Sequence, residues 1–266
     1  MANGAPGGIA REAAKWAAEQ VLWNRVAAQH ALDVRANRTH RKPASVPPTD
    51  VLSARADWER ACARLRELKL PLHHDKPKNW DALAALSFVL DNVASSGAVL
   101  DAGCARYSTL LPSLRLYGFT DLFGNNLEWS RPTRHGPVRL LPGDMTATSF
   151  PDARFDAITC LSVIEHGVPV KGFLVEAARL LRPNGVLFIS TDYDQEPPDT
   201  KGKTAYGQPV RIFSPDEIRD IVKQADDVGL RLAGELKLAH AERPVRWERL
   251  GIDYTFISLG FRRKAD

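Results

Sequence analysis

The stretch "VLDAGCARYS", residues 99–108, decides how the rest of the chain is read. Apolar residues run up to Leu100, Asp101 ends the run, and Gly103 follows two positions later. An apolar run closed by an acid and a glycine reads as a buried strand passing into a turn. A glycine at that place lets backbone approach a bound molecule with no side chain between them. Downstream, short β-rich runs alternate with helical ones. The pattern predicts strands over 98–101, 121–125, 138–141, 155–161, 186–191, 231–238 and 254–262, and helices over 108–116, 170–181 and 215–228. The last helix opens with Ser214 and Glu217 in capping-box spacing. Such alternation implies a mostly parallel sheet covered on both faces, with ligands at the carboxyl ends of its strands. No long helix separates the last two strands, so a closing hairpin with one antiparallel strand is expected.

Upstream of residue 97 the texture is helical. Trp16, Trp23, Val26 and His30 recur at helical spacing within 9–33, and Leu52, Trp58, Cys62, Leu65 and Leu68 mark a second helix that Thr49 or Asp50 could cap. The loop "LHHDKPKNWD" leads into a third, with Asn79 or Asp81 placed to cap it. Residues 1–78 therefore read as a helical arm with a basic linker, and residues 79–266 as the main domain. The linker, residues 34–45, holds four basic residues and His40 with no acid. A solvated linker accounts for such a run more readily than a nucleic-acid or membrane contact.

Bulk properties exclude several classes. The chain has 266 residues, 44% of them hydrophobic, and a net charge of +4, which suits a globular protein that admits an anionic ligand without requiring one. No apolar run reaches about 18 residues, and the first residues lack the basic-then-apolar order of a secretory signal, so a cytoplasmic location is expected. Cys62, Cys104 and Cys160 are too widely spaced for a metal cluster or a disulfide framework and read as buried thiols. Adjacent His73 and His74 lack the separation that lets two histidines on one helix face share a metal, and no metal is expected.

Four stretches in order, "LDAGCARYS", "LFGNNLEWS", "LPGDMTATSFPDARFDAITCLSVIEHG" and "EAARLLRPNGVLFIST", resemble the class I S-adenosylmethionine-dependent methyltransferases over roughly residues 79–264. A nicotinamide-binding domain would call instead for a full Gly-x-Gly-x-x-Gly opening a helix, which is absent. The resemblance implies an α/β fold: a doubly wound, mostly parallel seven-stranded sheet of Rossmann-like methyltransferase type, with an N-terminal helical extension. It implies S-adenosylmethionine as cofactor, bound by Asp101, Gly103, Cys104, Ala105, Asn125, Asn126, Asp144, Met145, Leu161 and Ser162. Asp101 would lie near the cofactor's ammonium group, Asp144 would accept from the adenine amino group, and Met145 would pack on the ring. Two positions depart from the family pattern. Ala105 and Tyr107 replace the second and third glycines of the turn, and Asn126 stands where the family has the acid that accepts the ribose hydroxyls, with Asn125 and Glu128 nearby.

Transfer of a methyl group to a hydroxyl needs a base, and His166, Asp192 and Tyr193, just past two strand ends, are the candidates. His166 also reads as a shaper of the cofactor pocket, and the 192–194 acids as a solvated loop. The long connection after Asp192 is expected to wall the acceptor site. The place after the fourth strand lacks the Pro-Pro motif of base-amino methylation, and Cys160 lacks the preceding proline of cytosine methylation. What remains is a small molecule, a saccharide or a lipid-linked sugar, and the resemblance of "SVIEHG", "STDY" and "RIFSPDEI" to bacterial methyltransferases of polysaccharide and secondary-metabolite pathways implies a saccharide or small-molecule metabolite, methylated on oxygen. The other reading is a non-catalytic methyltransferase-like protein whose helical arm binds a partner; under either reading the N-terminal helices offer a surface for a homo-oligomer.

Overall fold

The computed structural model describes residues 6–205 and 208–265, so the first five residues of the arm, two residues of the long connection and residue 266 lie outside it. In chain order the elements are α1 (Pro6–Arg35), β1 (Asp50–Val51), α2 (Arg55–Glu67), α3 (Lys78–Asn92), β2 (Ala98–Ala102), α4 (Leu110–Leu116), β3 (Asp121–Asn126), β4 (Thr133–His135), β5 (Val138–Pro142) and β6 (Phe155–Leu161). They continue as α5 (Val170–Leu180), β7 (Leu181–Tyr193), β8 (Thr204–Ala205), β9 (Gln208–Pro209), α6 (Pro215–Asp227), β10 (Leu230–Leu232), β11 (Val245–Trp247) and β12 (Ile252–Arg263).

Five parallel strands in the order β5-β3-β2-β6-β7 form the centre of the sheet, and β12 runs antiparallel to β7. With β10 antiparallel to β12, these make the expected seven strands. The strand order turns back between β2 and β6, which is where a doubly wound sheet opens a crevice for a ligand. The sheet is wider than the sequence implied: β4 pairs β5, and β1 and β11 pair β12, giving ten strands.

Burial on both faces explains the sequence pattern of the centre. Along β7, Val186 and Phe188 face a core built from α1, α3 and α4 residues such as Trp23, Val89 and Leu114. Leu187 and Ile189 face one built from Phe173, Leu174, Ile218 and Ile221 of α5 and α6. This period of two fills both layers from one strand. All three cysteines are buried. The Ser214–Glu217 capping box forms, with Ser214 N–H donating to Glu217 Oε2 (2.8 Å) and Glu217 N–H donating to Ser214 Oγ (3.3 Å).

The helical arm closes onto the main domain. Trp23 and Val26 of α1 are buried against α4, while Trp16 stays 62% exposed. Thr49 and Asp50, expected to cap α2, serve the sheet instead: Asp50 pairs Ser258, and Thr49 Oγ1 accepts from Gly260 N–H (3.1 Å) and donates to Ala233 O (2.8 Å). That wedge ends β10 at Leu232, well short of the expected 238. Gly260 makes it possible, because a Cβ there would lie 2.5 Å from Pro48 Cβ. The start of α2 is held by Asp57, whose carboxylate accepts from Ala54 N–H (2.8 Å). Asn79 and Asp81 do not cap α3 either. Asn79 accepts from His73 N–H and donates to the His73 and Lys76 carbonyls, tying down the loop before the helix. Among the described residues no helix is long and apolar enough to cross a membrane.

Candidate active site

A cavity of about 870 Å3 opens at the carboxyl ends of β2, β3, β5 and β6 and extends beneath α1 and the start of α3. Gly103 forms its innermost turn at φ +74°, and a Cβ there would lie 2.5 Å from Val163 Cγ1, so both conformation and space require glycine. The two asparagines ending β3 hold this turn. Asn125 Oδ1 accepts from Gly103 N–H (3.3 Å), and Asn126 Nδ2 donates to the Gly103 and Cys104 carbonyls, each at 3.1 Å. Ser108 completes the turn, its Oγ accepting from Ala105 N–H (3.2 Å).

Of the residues the sequence singled out, Gly103, Ala105, Asn126, Asp144, Met145, Leu161, Ser162 and His166 line the cavity. Asp144 is oriented by Thr146, whose N–H and Oγ1 both donate to Asp144 Oδ1 at 2.8 Å. Asn126 has both ends of its amide engaged, since Oδ1 accepts from Glu128 N–H (2.8 Å). The exposed carboxylate of Glu128 and the side chain of Leu127 stand at the cavity wall beside it.

Asp101, Cys104 and Asn125 lie beneath the turn instead of on the wall. Asp101 is 1% exposed, accepts from Thr159 Oγ1 (2.8 Å) on Oδ1, and has no partner on Oδ2. Burial pushes its carboxyl up to about 7, against the Thr159 hydrogen bond. The Cys104 thiol packs under Gly124, where a Cβ would lie 2.5 Å from Sγ. Asn125 Nδ2 is buried without a partner.

The 192–194 acids are not a solvated loop. Asp192 and Asp194 are buried, and Tyr193 is fully buried with its hydroxyl donating to Leu238 O (2.6 Å). Tyr193 as a candidate base is corrected on this ground: its side chain belongs to the core and its proton is committed. Asp192 belongs to a buried cluster under the cavity with Glu165, Asp81 and Tyr254. Burial pushes the Glu165 carboxyl up to about 7 and that of Asp81 to about 6, while burial and then Glu165 push Asp192 upward. Lys78, on the cavity wall, is the cation of this cluster. Burial opposes its charge, yet Glu165, Asp192, Asp81 and Asp75 together hold its pKa above the ordinary lysine value. The same lysine, after burial itself, lowers His166 to about 4 and His73 to about 3, so both rings are neutral near pH 7.

Sequence reasoning missed Lys78 and the part that α1 plays, and it named Glu128 only as a neighbour of Asn126. Lys78 and Asp81 stand three apart on one helix, a spacing that places them on one face and could have paired them. Glu19 of α1 is 2% exposed and accepts from His135 Nε2 (2.8 Å), with Arg106 at 3.5 Å. Trp23 stacks on His135 at 4.6 Å. These contacts set α1 across the cavity, where Lys15, Trp16, Glu19 and Gln20 line it. Gln208, from the long connection, approaches Gly167 at the opposite rim.

A parallel centre reversing between β2 and β6, an antiparallel β12, and a glycine turn at the mouth of the crevice define the class I methyltransferase fold. Residues 100–189, about a third of the chain, match the family model described as a methyltransferase domain. The sterol 24-C-methyltransferase of Gibberella zeae is 29% identical over 112 residues, covering 37% of this chain and 29% of that protein. The chain thus spans less than a third of the length of this curated relative. Among solved structures, the cyclase SpnF superposes with TM-score 0.52 at 14% identity, covering 79% of this chain and 94% of that one. The geranyl diphosphate C-methyltransferase of Streptomyces coelicolor superposes with TM-score 0.50 at 17% identity, covering 82% and 90%. Both likenesses concern the fold.

Proposed function

We propose that this chain transfers the methyl group of S-adenosylmethionine to a small-molecule acceptor, with His166 taking the acceptor's proton. The carrying observation is one cavity bounded by a glycine cradle, an oriented Asp144 and a neutral His166. The residues present suit the cofactor: Gly103 would admit its amino-acid end against backbone, and Asn125 Nδ2 is a buried donor with no partner beneath that turn. Asp144 would accept from the adenine amino group, and Leu127 and Met145 would flank the ring. Asn126 is spent on clamping the turn, so Glu128 is the carboxylate left to take the ribose hydroxyls. The bound cofactor supplies an electrophilic methyl on a positively charged sulfur.

For an oxygen acceptor, whether a metabolite or a saccharide, His166 would accept the hydroxyl proton as the oxygen attacks. A second reading has carbon as the acceptor atom, and the curated relatives, named sterol 24-C-methyltransferases, support it. Calorimetric titration with S-adenosylhomocysteine, with NAD as comparator, tests the assignment. Binding of the former alone, weakened by Glu128→Ala and Asp144→Ala, is expected. Absence of binding overturns the enzyme assignment and favours the non-catalytic one. In an acceptor screen, His166→Gln is expected to cut turnover by roughly 10²–10⁴ with cofactor affinity kept if the acceptor atom is oxygen, and an unimpaired variant would favour carbon.

A further inference from the structure

A second cavity, of about 520 Å3, lies between α1 and the connection from α2 to α3. This is within the roughly 300–1,000 Å3 range of small-molecule pockets. Its walls are largely aliphatic, with Val21, Leu22 and Val26 from α1, Leu70 and Leu72 from the connection, and Leu116 from α4. Among the described residues no acid lines it, while Arg25 and Lys69 contribute to its wall. Val21 is 59% exposed there, so an apolar surface on α1 is open to solvent.

The two cavities adjoin. His74, Tyr107 and Thr109 line both, and the rings of His73, His74 and Tyr107 pack together at centroid distances of 4.5–5.8 Å where the cavities meet. One helix covers both: α1 lines the main cavity through residues 15, 16, 19 and 20 and the second through residues that include 21, 22 and 26. A polar chamber with an aliphatic annex sharing an aromatic boundary suits a ligand with two unlike ends. A saccharide would leave the annex walls unused, since its surface is polar throughout.

We infer that the annex holds the apolar body of the methyl acceptor, an amphiphile with a hydrocarbon or alicyclic portion, whose reacting polar end passes Tyr107 and His74 into the main cavity. This rests on the methyltransferase assignment above. The annex then selects acceptors by the length and bulk of the apolar part, while the main cavity reads the reacting end.

The test uses the full chain with hexanol, octanol and decanol, each displacing the apolar fluorophore N-phenylnaphthylamine, with and without saturating S-adenosylhomocysteine. Alkanol affinity is expected to rise about fourfold per methylene. Val21→Asp, at an exposed site compatible with folding, and Leu22→Asp should weaken decanol at least tenfold while leaving S-adenosylhomocysteine affinity unchanged. Cofactor-product binding without chain-length dependence, or with decanol binding indifferent to Val21→Asp, overturns the annex assignment alone. Alkanol binding in a chain that does not bind S-adenosylhomocysteine overturns the acceptor role together with the methyltransferase assignment. A dimer in sedimentation that Val21→Asp converts to a monomer also overturns the inference, because the groove would then be filled by a second copy of the chain.

Discussion

Gly103→Ala is the substitution that most directly interrogates the cradle. Two separate costs follow from the structure. An L-residue held at φ +74° pays roughly 1–2 kcal/mol for the left-handed region. The new methyl would lie 2.5 Å from Val163 Cγ1 and 3.0 Å from Cγ2, and overpacking of this kind costs about 1–3 kcal/mol. Val163 is β-branched and stiff, so it yields little by rotating. Together these give a loss of about 2–5 kcal/mol, or a fall of roughly 5–15 °C in Tm for a chain of this size. The affinity for S-adenosylhomocysteine should fall at least tenfold, because any relief moves the turn. The double variant Gly103→Ala/Val163→Ala separates the terms: it removes both γ-methyl groups and should show about 1–3 kcal/mol of favourable coupling, with the backbone part left over. Thermal unfolding and titration of all four members of this cycle provide the check. Full stability in the single variant, or a loss untouched by Val163→Ala, would refute the cradle geometry.

Asp101 gives a pH-dependent test. Its carboxyl ionises near 3.8 when unfolded and is pushed up to about 7 by burial, so the folded chain binds more protons between those values and loses stability as pH rises through the window. The slope is about 1.4 kcal/mol per pH unit at most. Asp101→Asn removes it, so its stability relative to the parent should grow from about pH 5 to about pH 7 in urea unfolding, and a constant difference would contradict the placement. Arg243→Ala strips the fully buried Asp194 of a two-point partner at 2.6 and 2.8 Å. It should cost roughly 1–3 kcal/mol, read as a lower urea midpoint, and an unchanged midpoint would show that His240 and solvent suffice.

The centre of the sheet was legible because strands buried on both faces are near-continuous apolar runs, as in "FDAITCL". The edge pieces were not. Thr49 and Asp50 carry the chemistry of a helix cap and of a sheet wedge equally well, and only the distant Gly260 decides between them. At the site, residue types could be read where partners could not. Asn126 looked like a substitute for the ribose-binding acid until its amide proved to be held by the turn's own carbonyls. Tyr193 sits in a run buried on both faces, so nothing local tells which way its ring points. Lys78 escaped notice because its importance comes from acids more than 80 positions away in the chain, Glu165 and Asp192, which only the fold brings close.

β12 has a consequence for the order of assembly. Its hydrogen bonds reach β10 and β7, roughly 30 and 60–80 positions earlier, and also β1, some 200 positions earlier. Closing so long a loop is slow compared with forming the local helix–strand units of the centre. The seam of Thr49 against the backbone of Gly260 is therefore expected to close after the central strands, while α1 is held over the crevice separately, by Glu19 and Trp23 on His135. Undoing that one seam would free the stretch between the arm and the sheet while leaving the Gly103 turn its ties to β3 and Ser108.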